Sequence, residues 1–179
     1  MPIVPDTKDW TWVLERRCPE CGFDAALVPA EAIARRLRDN AGGWAAVLGE
    51  APERLRRRPR DDRWSPLEYA CHVRDVFRLF GRRLGLMLGE DDPLFANWDQ
   101  DATAVDDRYH EQDPAVVAGE LAVAADALAA AFETVAGATW QRRGRRSDGA
   151  QFTVESFGRY LLHDPVHHLH EVTADVGAR

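Results

Sequence analysis

The chain of 179 residues is almost without lysine: of its 23 basic residues only Lys8 is a lysine and the rest are arginine. That bias reflects coding or lineage and carries no mechanism by itself. Cysteine is also scarce, with three residues, and the opening MPIVPDTKDW has neither the basic start nor the apolar stretch of a signal peptide. These absences exclude a disulfide framework and lead to the expectation of a cytoplasmic protein. No run reaches the roughly 18 to 20 consecutive apolar residues that span a bilayer, so no membrane segment is expected. Positive charge is not in excess: 30 Asp and Glu against 23 Lys and Arg leave a formal charge of -7. Without a nucleic-acid reading module, that charge argues against nucleic acid as a partner. Strand-like alternation is scarce and internal repeats are absent. Asp99, Asp101, Asp106 and Asp107 lack the glycine and terminal glutamate of an EF-hand, so no calcium site is expected.

What is present is helical patterning in a length suited to one domain. Residues 1–28, with Pro2, Pro5, Trp10, Trp12 and Cys18-Pro19-Glu20-Cys21-Gly22, show no sustained period and read as an irregular N-terminal arm. From 29 to 48, Ile33, Leu37, Trp44, Val47 and Leu48 recur at helical steps. Residues 51–62 read as a linker. Ser65-Pro66-Leu67-Glu68 then supplies an N-cap, a proline at the first helical position and a capping-box glutamate, predicting a helix to about Leu88. A long connection follows from 89 to 113, in which Trp98 and Tyr109 are read as plugs over the open end of the bundle. Asp113-Pro114 opens a third helix that Gly137 ends, and after a basic turn at 142–149 Thr153 caps a fourth. The expectation is an all-α four-helix bundle, residues 29–179, preceded by the arm, with a long connection between helices 2 and 3.

Four of the six histidines fall between His163 and His170. His163 and His167 lie one helical turn apart on one face, so they can grip one divalent metal. His170 follows on that face, and His168 is rotated away. A pair needs a third ligand from another helix, and His72 on the second helix is the best candidate. Glu68 and Asp75, at i-4 and i+3 from His72, are the candidate catalytic carboxylates, able to orient the ring or act as a base. A three-histidine site keeps an open position for water or substrate, as catalytic metal sites do. The bland alternative is a polar helix face, and Pro165 leaves open either a kink or a fresh helix start between the two histidines.

The run Trp64-Ser65-Pro66-Leu67-Glu68-Tyr69-Ala70-Cys71-His72-Val73-Arg74-Asp75 resembles the first signature of the DinB/YfiT-like superfamily, a Trp-Ser/Thr turn opening a helix with Glu, then His, then often Asp. His163-Asp164-Pro165-Val166-His167-His168 resembles its second. The resemblance implies a four-helix bundle holding a divalent transition metal, zinc first and nickel or iron as alternatives, through His72, His163 and His167. Members with an assigned reaction include mycothiol- and bacillithiol-dependent S-transferases and a mycothiol-dependent maleylpyruvate isomerase. For this chain the resemblance implies activation of a small-molecule thiol for transfer to an electrophile. A non-catalytic metal-binding or stress-linked interaction protein is the alternative, and a homodimer through outer helices is compatible with either. The arm and the Asp-Pro-Val spacer depart from the family pattern.

Two further features stand apart. Cys18 and Cys21 resemble half of a zinc ribbon without a second CxxC. They are open to three readings: metal binding with help from histidine or a second subunit, redox activity, or a reduced turn. The arginine clusters at 54–60 and 142–146 can hold phosphate or carboxylate, but are read as solvated loops.

Overall fold

Three of the four long helices start where a side chain replaces a hydrogen-bond partner missing from the first turn. The computed structural model describes residues 9–177; residues 1–8, with Pro2, Pro5 and Lys8 of the expected arm, and residues 178–179 lie outside the described residues. Short 3-10 turns (Thr11–Leu14, Ala25–Leu27, Ala30–Ala32) lead into α1 (Ile33–Leu48), α2 (Pro52–Arg56) and α3 (Pro66–Gly89). Then come β1 (Leu94–Phe95), α4 (Gln100–Asp106), a 3-10 turn (Tyr109–Glu111), α5 (Pro114–Glu133), β2 (Arg143–Arg146), β3 (Gln151–Thr153) and α6 (Val154–Gly177).

The predicted caps are present. Ser65 Oγ accepts from the Glu68 N–H at 3.3 Å, and the Ser65 N–H donates to Glu68 Oε2 at 2.8 Å, closing the capping box before α3. The Asp113 carboxylate accepts from the Ala115 N–H at 2.8 Å ahead of α5. Thr153 Oγ1 accepts from the Ser156 N–H at 3.1 Å, and Ser156 Oγ returns the bond to the Thr153 N–H at 2.9 Å, so α6 starts where the sequence places it.

The bundle consists of α1, α3, α5 and α6, with α5 and α6 each packed against both α1 and α3. Ile33, Leu37, Trp44, Phe77, Leu84, Leu121 and Phe157 fill its centre and are fully buried. Each such side chain contributes roughly 1.5–3 kcal/mol relative to exposure. By length and composition α5 is apolar enough to cross a membrane, although Glu120 and Asp126 interrupt its apolar run. In the bundle its Val117, Leu121, Ala125, Leu128 and Phe132 are buried, as expected of a core helix.

Pro165 does not break α6, which runs continuously from Val154 to Gly177. The proline removes one donor, that to the Leu161 carbonyl, while α1 braces the same turn. Asn40 Nδ2 donates to the Pro165 carbonyl at 3.0 Å. Gly43 permits the close approach, since a Cβ there would lie 2.5 Å from Leu169 Cδ2.

The four-helix bundle is as expected and carries a small sheet besides: β1 pairs parallel with β2 and β2 antiparallel with β3. The strand signal was hidden because the inward position of β2 is Gly144, where a Cβ would sit 2.6 Å from Phe95 Cζ and 2.9 Å from Met87 Cγ, and the residues around it are arginines. Arg142 is not a loop charge, because its Nε donates to the Met87 carbonyl at 2.6 Å. The linker at 51–62 contains α2, whose Leu55 is buried, and Arg56 donates to the carbonyls of His110 and Gln112 at 2.7 and 2.9 Å.

Ser65→Ala should lower unfolding free energy by about 1 kcal/mol through loss of the cap. Urea denaturation checks this, and an unchanged midpoint would show that Pro66 alone fixes the helix start.

Candidate metal centre

One turn of α6 carries two parallel rows of donors. A residue advances about 100° around a helix, so His163 and His167 form one row, and Asp164 and His168 a second row beside it. The rows meet different parts of the chain.

The first row meets the N-terminal arm. One donor atom each from Cys18, Cys21, His163 and His167 lie within 4.8 Å of one another, and Cys18 Sγ is 3.8 Å from His167 Nδ1. The cysteines sit on a tight turn in which the Cys18 N–H donates to the Phe23 carbonyl at 2.8 Å and the Gly22 N–H to the Cys18 carbonyl at 3.0 Å. Gly22 takes φ +75°, which a side chain would strain. Arg17 Nε donates to the Gly22 carbonyl at 3.0 Å. All three cysteines are free thiols. Burial pushes the Cys21 thiol up to about 11, against a backbone hydrogen bond at Phe23 that favours the thiolate. Burial, with His167 nearby, lowers His163 to about 4. His167 is lowered too, first by burial and then by His168. Both rings are therefore neutral at pH 7 and have a lone pair to offer. His163 Nε2 is buried without a hydrogen-bond partner. Trp10 packs against both rings at centroid distances of 5.3 and 5.4 Å, and Phe23 meets His163 edge-on.

The second row meets α3. Donor atoms of His72, Asp164 and His168 likewise lie within 4.8 Å of one another. Asp164 Oδ2 is 3.3 Å from His72 Nε2 and 3.8 Å from His168 Nε2. Burial acts to raise the Asp164 carboxyl, but His72 and His168 hold it well below the ordinary range, so it is anionic. His168 Nδ1 lies 2.9 Å from Glu171 Oε2. Glu171 is held in turn by Arg63 and titrates at about 2: burial would raise it, and His168 and Arg63 prevail. This carboxylate fixes the orientation of His168 and leaves Nε2 facing Asp164. His72 is clamped between Trp64 at 5.3 Å and Trp98, which stacks on it at 5.5 Å and 9°. Tyr69 covers His168 at 4.7 Å. The His72 side chain is 1% exposed, and Asp164 Oδ1 is buried without a hydrogen-bond partner. A cavity of about 420 Å³ is lined in part by Arg54, Arg57, Arg63, Trp64, Tyr69 and Glu171; Trp64, Tyr69 and Glu171 also touch His72 or His168, while none of the three donors lines it.

The expected trio is thus divided. His163 and His167 come together, but with Cys18 and Cys21, and His72 comes together with Asp164 and His168. His170 is exposed and belongs to neither group. The two carboxylates expected to work on His72 are committed elsewhere. Glu68 closes the capping box and pairs with Arg58, Nε to Oε2 at 2.9 Å. Asp75 accepts from Arg74 Nε at 3.0 Å and from the Tyr109 hydroxyl at 2.7 Å. Burial would raise the Asp75 carboxyl, but Arg74 and Tyr109 hold it below its usual value. Tyr109 is the plug the sequence suggested, whereas Trp98 is part of the wall around His72. The sequence signals for these groups are the i, i+4 spacing that Asp164 and His168 share with the histidine pair, which was missed, and the histidine-assisted reading of CxxC, which with HxxxH makes a four-donor set.

The chain belongs to the DinB superfamily, whose sequence pattern matches residues 25–172. Its structure is similar to that of YfiT from Bacillus subtilis, described as a probable metal-dependent hydrolase with an unusual four-helix bundle topology. The TM-score is 0.65 and the identity 19%, over 97% of this chain and 93% of that one. The four-helix topology is therefore shared. No curated protein matches the chain.

Asp75→Asn should cost about 1.5–3 kcal/mol, the worth of hydrogen bonds to a charged group, and leave metal content unchanged. Because its folded pKa is depressed, the Asp75 contribution is present at neutral pH and is lost as pH falls through that value. Denaturant melts at pH 7 and pH 3 should show the wild-type advantage shrinking in acid; metal loss in a well-folded Asp75→Asn protein would instead place Asp75 in the site.

Proposed function

We propose that the protein is a metal-dependent enzyme whose divalent ion is held by His72, Asp164 and His168, and that it activates a small-molecule thiol for transfer to an electrophile. The carrying observation is the three-donor group itself, two imidazoles and one carboxylate from α3 and α6, with no fourth protein donor grouped with it among the described residues. Donors at roughly 2.0–2.1 Å from a tetrahedral metal stand about 3.4 Å apart, close to the 3.3 and 3.8 Å separations at Asp164 Oδ2. Two nitrogens and one oxygen suit zinc, nickel or iron(II) and leave positions for an external ligand. An ion bound there supplies Lewis acidity and lowers the pKa of a coordinated thiol or water.

The remaining work falls to the chain. Glu171, fixed by Arg63, orients His168, and Trp64 and Trp98 hold the His72 ring and keep water from its faces. The cavity behind Trp64 and Tyr69 brings Arg54, Arg57 and Arg63, the last paired with Glu171, beside these two rings, a lining that suits a carboxylate-bearing thiol or electrophile. The thiol reading also draws support from the resemblance to thiol-dependent members of the family. Water in place of thiol would give a hydrolase, the reading that the description of YfiT favours.

The test is the reaction of zinc-, nickel- or iron-loaded protein with a chromogenic electrophile, with and without a panel of low-molecular-weight thiols, beside an activated ester. Thiol-dependent conjugation that falls at least 100-fold in Asp164→Asn and His72→Ala, but less than 10-fold in His163→Ala, supports the proposal. Ester cleavage without thiol points to the hydrolase. Loss of activity in His163→Ala with full activity in Asp164→Asn would restore the trio His72, His163 and His167 and overturn the assignment.

A further inference from the structure

We propose that Cys18, Cys21, His163 and His167 form a second, closed zinc site that clips the N-terminal arm to α6. The donor set is complete in itself. Two thiolates and two imidazoles fill a tetrahedral shell, which marks a structural site because no position is left for substrate. Zn–S and Zn–N bonds of about 2.3 and 2.0 Å place sulfur and nitrogen roughly 3.6 Å apart; Cys18 Sγ and His167 Nδ1 stand at 3.8 Å. Two thiolates also cancel the charge of the ion, so the filled site is neutral. That matters where Cys18 is 1%, His163 4% and His167 5% exposed, since burying net charge is costly.

Three independent features point to a ligand. His163 Nε2 is a buried nitrogen with nothing to bond. The Cys-Pro-Glu-Cys-Gly turn, closed by its own backbone bonds and by Gly22 at φ +75°, presents two sulfurs to two rings roughly 150 residues further along the chain. His167 Nε2, on the far side of the ring from Cys18, lies 3.5 Å from Glu20 Oε2 and 3.9 Å from Glu171 Oε1. These are carboxylates able to accept from the ring nitrogen that does not bind metal. Around the site, Trp10, Trp12 and Phe23 pack on His163 and form an apolar shell.

The arm has reason to need such a clip. Between residues 9 and 28 it forms only two short 3-10 turns, too little regular structure to hold itself, and a metal can supply that stability. The site shares no donor with the one proposed for catalysis; either can fail without the other, and only an ion held by His72, His163 and His167 together would exclude both.

The experiment is cobalt(II) substitution of the full-length reduced protein, read by absorption, with metal content by mass spectrometry. Expected are the near-ultraviolet sulfur-to-cobalt band and strong visible bands of a tetrahedral site. In the Cys18→Ser/Cys21→Ser variant the sulfur band should vanish, one ion per chain should be lost and the melting temperature should fall. In His72→Ala the sulfur band should persist whether or not activity does. Should the double variant fail to fold, alkylation of the wild type decides: zinc should protect Cys18 and Cys21 at least 10-fold against iodoacetamide, and a chelator should remove the protection. Absence of the sulfur band with all thiols reduced, alkylation unaffected by zinc, or a Cys18–Cys21 disulfide in protein purified anaerobically would overturn the proposal.

Discussion

The arrangement of both donor groups depends on α6 keeping its helical phase through Pro165. Two rows of side chains can stand side by side on one helix only if each residue advances by the same angle. A break at the proline would scatter His163 and Asp164 from their partners four residues on. The helix instead loses one hydrogen bond and keeps its course. The brace comes from α1, where Asn40 reaches the Pro165 carbonyl and Gly43 removes the side chain that would hold Leu169 away.

From that continuity the division of labour follows. The His163 row turns toward the arm and meets two sulfur donors, making a group of four. The Asp164 row turns toward α3 and meets one imidazole, making a group of three. Chemistry separates the two as much as position does: two thiolates would neutralise a divalent ion, whereas two histidines and one carboxylate would leave charge and open positions on it. Tryptophans wall both groups, Trp10 on the first and Trp64 with Trp98 on the second. The irregular segments supply part of those walls, which is why the arm and the long connection matter to a site whose ligands lie mainly on helices.

The helices were legible because their punctuation is local. Ser65-Pro66 with Glu68, Asp113-Pro114 and Thr153 each set a start that can be read within four residues, and each holds in the structure. The small sheet was not legible, because Gly144 carries its inward face and arginines surround it, leaving no apolar alternation to detect. At the site, the sequence singled out His72 and the turn of α6 and pointed to the row of His163 and His167, although Asp164 with His168 shares the same spacing. Which row faces α3 is decided by the rotation of α6 about its axis, a property of packing. Glu68 and Asp75 illustrate the same limit: both flank His72 along α3, and both were claimed by arginines, Arg58 and Arg74, that the sequence places without revealing their reach. The partner of the Cys18-Cys21 turn was hidden by distance along the chain.

The separation of the two rows is the central claim, and anomalous diffraction from crystals of the metal-loaded protein tests it most directly. The account predicts two peaks, one enclosed by Cys18, Cys21, His163 and His167 and the other held by His72, Asp164 and His168. A single peak bound jointly by His72, His163 and His167 would contradict it.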